Sequence, residues 1–111
     1  MENNKQTVVV SERDSARVVT LSIGDTLIVR LQTQLGTGFR WRPGKSSRSL
    51  KMIGTGQIEP HVGDLPGGEE TQLMRYEATK SGSCTLTFSY LRAWERKALP
   101  ARSFNLKVIV R

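Results

Sequence analysis

Apolar and polar residues alternate with a period of two along most of the chain. The apolar positions of the clearest runs are Val19, Leu21 and Ile23; Leu27, Val29 and Leu31; Met74, Tyr76 and Ala78; Cys84, Leu86, Phe88 and Tyr90; and Phe104, Leu106, Val108 and Val110. Such alternation is typical of β-strands with one buried face. The runs are also rich in the β-branched residues that strands favour. The pattern therefore predicts a protein built of strands.

Glycine and proline residues separate these runs at short intervals. The breaks lie at 24–25, 36–38, 43–44, 54–56, 66–68, 81–82 and 100. These residues favour turns, and no window keeps a helical period of useful length. Many short strands with regular breaks predict an all-β, antiparallel β-sandwich of two sheets. The chain of 111 residues shows no repeat or linker, so we expect one domain over residues 1–111.

Three segments do not follow the strand pattern. They are QLGTGFRW at 34–41, VGDLPGGEE at 62–70 and LRAWERKALP at 91–100. Each is rich in glycine, proline or aromatic residues that look exposed, and loops at the ends of a rigid sandwich are common sites of function. If the topology brings the three segments to one end, they form a composite binding edge.

Catalytic chemistry finds little support in the sequence. Cys84 is the only cysteine and His61 the only histidine, so a Cys–His dyad would need this pair. Cys84 falls on the apolar face of a strand, where a free cysteine packs as a small hydrophobe and its thiolate is disfavoured. One cysteine forms no intramolecular disulfide and no zinc site of several cysteines. We therefore expect no enzyme, no metal and no cofactor.

The charge of the chain leaves a second class of function open. The formal net charge is +7, which suits an anionic partner. A basic cluster surrounds one aromatic residue; its members are Arg40, Trp41, Arg42, Lys45, Arg48 and Lys51. Such surfaces can stack bases, so a nucleic-acid-binding module is one alternative, which we consider less favoured. Under the other interpretation Trp41 packs beneath its own loop. A ligand- or carbohydrate-binding sandwich is a third hypothesis, because fold alone does not fix function.

The tryptophan of the third segment is a candidate for a binding surface. Arg92 and Trp94 follow a strand whose inward pattern ends at Tyr90. Tryptophan and arginine are enriched at interface hot spots, so Trp94 could stand exposed at the end of the sandwich. The alternative is that Trp94 caps the core, and spacing alone does not separate the two.

The N-terminal sequence bears on the compartment. It has neither the charged-then-apolar order nor the cleavage-like end of a signal peptide. No stretch approaches the roughly 20 apolar residues that span a bilayer, so we expect no membrane partner. The chain is then either a cytoplasmic protein or the mature form of a periplasmic or secreted one.

The three segments together resemble the chagasin family, small protein inhibitors of papain-like cysteine peptidases. That family carries an Asn-Pro-Thr-Thr-Gly-Tyr-x-Trp motif, then Gly-x-Gly-Gly, then Arg-Pro-Trp. In the first motif Thr37, Gly38 and Trp41 match, and Phe39 replaces tyrosine. Residues 34–36, Gln-Leu-Gly, depart from Asn-Pro-Thr. Gly36 adds conformational freedom there, so affinity or enzyme preference can differ from that of typical members.

The second and third motifs complete the resemblance, whose strength lies in the order and spacing of all three. In the second motif, LPGG, the two glycines match and Leu65 replaces the first glycine of the family. In the third, Arg92 and Trp94 match and Ala93 replaces proline. The resemblance implies a set of peptidase-binding residues: Gly36, Thr37, Gly38, Phe39, Trp41, Leu65, Pro66, Gly67, Gly68, Arg92, Ala93 and Trp94.

The resemblance also implies a fold and a mechanism. The fold is an immunoglobulin-like β-sandwich, and we expect a monomer whose partner is a papain-like cysteine peptidase. Three loops at one end enter the enzyme's cleft as a wedge, with Thr37 over the catalytic cysteine, the LPGG loop on one side and Trp94 on the other. Cleavage needs reacting atoms about 3–3.5 Å apart and aligned. A small tip held in another pose, on Phe39 and Trp41, would fill the cleft without being cut.

Overall fold

The chain forms eight β-strands in the computed structural model, which describes residues 5–45, 47–59, 70–92, 94 and 100–111. The strands are β1 (Thr7–Ser11), β2 (Val18–Leu21), β3 (Thr26–Thr33), β4 (Phe39–Pro43), β5 (Leu50–Glu59), β6 (Glu70–Ala78), β7 (Gly82–Arg92) and β8 (Arg102–Val110). Two 3-10 turns lie at Glu12–Asp14 and Leu35–Thr37. Within these ranges no helix is long and apolar enough to cross a bilayer.

The strands form two four-stranded sheets, as the alternation predicted. The first sheet has the order β1-β3-β6-β5 and the second β2-β8-β7-β4. The β1–β3 and β2–β8 pairs are parallel, while the other pairs are antiparallel. Alternation reports which face of a strand is buried but not its direction, so it could not predict the parallel pairs. Residues 7–21 act as one edge strand that passes from the first sheet to the second at the 3-10 turn.

Two strands lie where the alternation of apolar and polar residues is weaker. The three consecutive valines of β1 hide their alternation: Val8 and Val10 face the core, and Val9 is exposed. The turn predicted at 54–56 is wrong, because β5 continues through it. The pairing of β5 with β6 shifts register on both sides of Gly54. Glycine inside a strand marks a bulge as readily as a turn.

The predicted apolar faces pack together between the sheets. The fully buried core includes Leu27, Val29, Leu31, Met74, Phe88, Phe104, Leu106 and Val108. Phe88 lies at its centre, with its ring centroid 6.4 Å from that of Tyr76 and 5.8 Å from that of Phe104. Ile23 is exposed, because it lies beyond the end of β2 in a turn where strand alternation no longer applies.

The two ends of the sandwich differ in chemistry. At one end, which we call the base pole, the buried Asp25 carboxylate accepts hydrogen bonds from the amides of Gln6 and Ser22, each at 2.9 Å. These bonds, first that of Gln6 and then that of Ser22, hold the pKa of Asp25 below its ordinary value of 3.8, although burial opposes them. The carboxylate thus ties the start of β1 and the end of β2 to the turn before β3.

Stability should depend on the charge of Asp25. Because its folded pKa is depressed, the stabilisation is complete above pH 3.8 and is lost as the pH falls through the lower, folded-state pKa. Asp25→Asn removes this contribution. The difference in unfolding free energy between the wild type and this variant should be largest at neutral pH and should shrink below pH 3.8. Thermal unfolding from neutral pH to about pH 2 measures it, and a difference that stays constant contradicts the assignment.

Candidate functional site

The first candidate segment forms a short tip between β3 and β4, which we call the tip (residues 34–38). Within it Leu35–Thr37 form a 3-10 turn. The Gln34 carbonyl accepts hydrogen bonds from the Thr37 amide at 3.1 Å and from the Thr37 hydroxyl at 2.6 Å. Gly38 follows with a φ of +83°, a left-handed conformation that glycine adopts without steric cost. The tip is therefore a closed turn, with Gly36 and Thr37 exposed at its apex.

The tryptophan of the third segment lies directly against this tip. A Cβ atom built on Gly38 would lie 2.8 Å from Cη2 and 3.1 Å from Cζ3 of Trp94. Only a residue without a side chain permits so close an approach. The side chain of Trp94 is 69% exposed, so the structure favours the exposed tryptophan over the core cap. Gly38 of the first segment and Trp94 of the third segment therefore lie side by side at one end of the protein.

Arg92 joins the tip to the tryptophan. Its Nε donates a hydrogen bond to the Thr37 carbonyl at 3.4 Å. The guanidinium carbon lies 4.6 Å from the ring centroid of Phe39 and 5.9 Å from that of Trp94. Both distances suit cation–π attraction. The sequence indicated Arg92 as a binding residue but not this bridging position, in which the guanidinium helps to fix this arrangement before any partner arrives.

Three aromatic rings support the tip from below. Phe39 stacks on Tyr90 with centroids 5.0 Å apart and planes 17° apart, and Trp41 lies 4.9 Å from Tyr90 on a tilted plane. Trp41 is only 2% exposed, which agrees with the interpretation that it packs beneath its own loop. It has almost no surface for a partner, and its ring instead supports the tip. The sequence pattern marked Tyr90 as a core residue and missed its place in the site.

Partly buried hydrogen bonds hold both ends of the tip. The Tyr90 hydroxyl accepts from the Gln34 amide at 3.0 Å, where the chain leaves β3. The Thr33 hydroxyl donates to the Phe39 carbonyl at 3.0 Å, where the chain enters β4. One side chain from each sheet thus closes the base of the tip. The two ends of the tip are therefore restrained, although its apex is made of small residues.

A second arginine covers the aromatic layer on its flank. The guanidinium carbon of Arg102 lies 5.4 Å from the ring centroid of Trp41 and 5.5 Å from that of Tyr90. Arg102 also forms a salt bridge with Glu12, whose other carboxylate oxygen accepts from the Gln32 amide at 3.0 Å. The 3-10 turn after β1 is thereby connected to the support of the tip. The sequence alone could not predict this salt bridge, because Glu12 and Arg102 lie 90 positions apart.

The second segment falls in a part of the chain that the structure does not describe. Leu65, Pro66, Gly67 and Gly68, with Ala93 of the third segment, lie outside the described residues. The strands that flank the second segment do reach the tip. The first residue of β6, Glu70, pairs with Thr33 at the end of β3. We call this end of the sandwich the tip pole.

The residues considered for catalysis do not gather at the tip pole. Cys84 lies near the opposite end of β7 and is partly buried against the core. Burial, and to a lesser extent Cys84, raises the pKa of Tyr76, which therefore stays neutral. His61 lies outside the described residues. Where the structure does describe the chain, no three His, Cys, Asp or Glu side chains group to hold a metal ion.

The basic cluster loses the feature that suggested base stacking. Trp41 is buried, so its ring faces cannot receive a base, while the cationic members of the cluster are exposed; these are Arg40, Arg42, Lys45, Arg48 and Lys51. Exposed cations without an aromatic platform are typical of a solvated surface. The structure therefore does not favour the nucleic-acid hypothesis.

The strands form a two-sheet β-sandwich, and at its tip pole Arg92 and Trp94 lie against the tip. The family model described as "Chagasin family peptidase inhibitor I42" matches residues 20–108. The chain therefore belongs to the chagasin family of peptidase inhibitors. The family that was predicted from the sequence is confirmed. Its members are peptidase inhibitors and not enzymes.

Similar proteins share the fold over nearly the whole chain. Amoebiasin-2 of Entamoeba histolytica is 24% identical over 104 residues, which cover 93% of this chain and 85% of that protein. The crystal structure of the cysteine protease inhibitor EhICP2 from Entamoeba histolytica superposes with a TM-score of 0.88 at 21% identity, covering 99% of this chain and 100% of that one. PbICP-C in complex with falcipain-2 gives a TM-score of 0.57 at 19% identity, covering 100% of this chain and 94% of that one.

Proposed function

We propose that the protein is a reversible, competitive inhibitor of papain-like cysteine peptidases, and that it inserts the tip pole into the active-site cleft. The observation that carries the proposal is the contact of Trp94 with Gly38, which brings two family motifs together at one end of the protein. Membership of the chagasin family supports it. So does the existence of PbICP-C in complex with falcipain-2.

The small residues of the tip account for access to the cleft. Apart from Gly36 and its two chain neighbours, no atom of the described residues lies within 4 Å of the position of a Cβ on Gly36, so the apex carries no side chain at this point and faces open space. A narrow backbone turn can approach a catalytic cysteine more closely than a turn with large side chains. Thr37 then lies over that cysteine, with Trp94 against one wall of the cleft.

The same geometry accounts for resistance to cleavage. Hydrolysis requires the scissile carbonyl to enter the oxyanion hole in an aligned attack geometry. In the tip the carbonyls of Gln34 and Thr37 already accept hydrogen bonds within the protein, from Thr37 and from Arg92. These bonds hold both carbonyls in the pose of the tip, and turning either one into the oxyanion hole would disrupt that pose. The inhibitor therefore occupies the cleft without forming an acyl-enzyme.

The test is an inhibition assay against papain and a cathepsin-like peptidase. We expect the inhibition to be competitive with a peptide substrate and to be relieved on dilution. The protein should run as an intact band after long incubation with the enzyme. Undiminished turnover in a large excess of folded protein would refute the proposal for that class of enzyme. Cleavage within the tip would refute the mechanism, because the protein would then be a substrate.

A further inference from the structure

A buried glutamine connects the strand that carries the tip to the opposite sheet. Gln72 lies on β6, in the interior of the first sheet, and is 4% exposed. Its Oε1 accepts from the Trp41 amide at 2.9 Å, and its Nε2 donates to the Trp41 carbonyl at 2.8 Å. One side-chain amide thus satisfies both backbone groups of Trp41, as a neighbouring strand would do.

This pair of bonds compensates for the position of β4 at the edge of its sheet. β4 has β7 as its sheet partner, with Trp41 opposite Tyr90. Since both backbone bonds of Trp41 go to Gln72, Trp41 and Tyr90 form a non-hydrogen-bonded pair, in which side chains lie close. Without Gln72, the Trp41 amide and carbonyl would be buried without partners. Such groups are costly to leave unsatisfied.

A third bond fixes the same residue to the first sheet. The Trp41 indole Nε1 donates to the Gln32 carbonyl on β3 at 2.8 Å. Trp41 follows the tip and Gln32 precedes it, so the two chain segments on either side of the tip meet at the side chain of Trp41. Fully satisfied buried networks hold one arrangement in preference to others. The height and angle of the tip over the sandwich are set by this point.

We infer that Gln72 is a positioning residue for inhibition: it has almost no surface of its own and acts by fixing Trp41, and through Trp41 the pose of the tip. This inference rests on the proposed function. A tip that is not preorganised must be ordered by the enzyme during binding, which lowers affinity. Gln72 therefore controls inhibition without touching the peptidase.

The experiment compares two variants of Gln72 with a variant at the base pole. Gln72→Met keeps the length of the side chain but removes both bonds to Trp41. Gln72→Glu keeps an acceptor for the Trp41 amide, but a carboxylate has no hydrogen to donate to the Trp41 carbonyl. We expect both to weaken the inhibition of papain, Gln72→Met by roughly tenfold or more. Asp25→Asn loses carboxylate bonds to backbone amides at the other pole, and should reduce stability without changing the inhibition constant.

Amide hydrogen exchange of the free proteins separates positioning from stability. In the Gln72 variants the Thr37, Gly38 and Trp41 amides should exchange faster than in Asp25→Asn, even when unfolding stability is matched by temperature. The inference would be overturned by a destabilised Gln72 variant whose inhibition constant and tip amide exchange rates both match those of the wild type. An equal loss of inhibition in Asp25→Asn would also overturn it. If the wild type itself fails to inhibit papain, the proposed function falls, and the exchange data still decide whether Gln72 positions the tip.

Discussion

Replacing Gly38 with valine is expected to weaken the inhibition of papain by about 100-fold, or about 2.7 kcal/mol, while the sheets stay folded. A non-glycine residue at a left-handed φ such as +83° costs about 1–2 kcal/mol. The new Cβ would also lie 2.8 Å from Cη2 of Trp94, so the indole would have to leave its place. Both effects act on the free protein, because the tip and Trp94 no longer keep their positions relative to each other. Inhibition constants and far-UV circular dichroism measure the two parts of the prediction.

Gly36→Val is the matched control on the same turn. Gly36 has no atom within 4 Å of a Cβ position, so the free protein should keep its unfolding temperature and its tryptophan fluorescence. Gly38→Val should change both. A loss of inhibition in Gly36→Val then reports contact of the apex with the peptidase, since nothing else in the protein is disturbed. Wild-type inhibition by folded Gly38→Val would contradict the role given to the contact between tip and tryptophan.

Trp94→Ala is expected to cost about 2–4 kcal/mol of binding, or roughly 30- to 1000-fold in the inhibition constant. Truncation removes the largest exposed apolar side chain among the described residues at the tip pole. It also removes the ring that lies against Gly38 and near the Arg92 guanidinium. The unfolding free energy should change little, because a side chain that is 69% exposed buries little surface on folding. Inhibition kinetics and chemical denaturation measure the two quantities on the same preparation.

Val18→Ala provides the comparison for an exposed apolar side chain elsewhere. Val18 is 58% exposed and is the first residue of β2. β2 lies at the edge of the second sheet opposite to β4, the strand that follows the tip. Its truncation should leave the inhibition constant unchanged. An inhibition constant of Trp94→Ala equal to that of the wild type, in a folded protein, would remove Trp94 from the interface. An equal loss in Val18→Ala would show that exposed apolar residues in general, and not the tip pole, carry the binding.

The strands were predictable because the information that defines them is local. Each inward residue of β3, β7 and β8 lies two positions from the next, so a single window reveals the buried face. The edges were harder. Gly54 looks the same in a turn and in a bulge, and only the pairing of β5 with β6 separates the two. The parallel pairing of β1 with β3 and of β2 with β8 depends on topology, which a period of two does not encode.

The candidate site was predictable in its residues but not in its contacts. The family resemblance indicated Gly38, Arg92 and Trp94, yet their meeting at one pole depends on how β4 and β7 pair. Two residues in the sequence could have indicated some of these contacts. Thr33 and Gln72 are polar residues at inward positions of β3 and β6, where the pattern calls for apolar ones. Both bond the backbone of β4, so a polar residue on an apolar face was here a mark of the functional pole.

The central claim is that the tip pole occupies the catalytic cleft, and binding to papain whose cleft is already filled tests it most directly. Papain carrying a covalently attached peptidyl inhibitor offers the same surface outside the cleft as the free enzyme. Calorimetry should detect tight binding of the protein to unmodified papain and none to the filled enzyme. Equal affinity for the two forms would place the contact outside the cleft and would contradict the account.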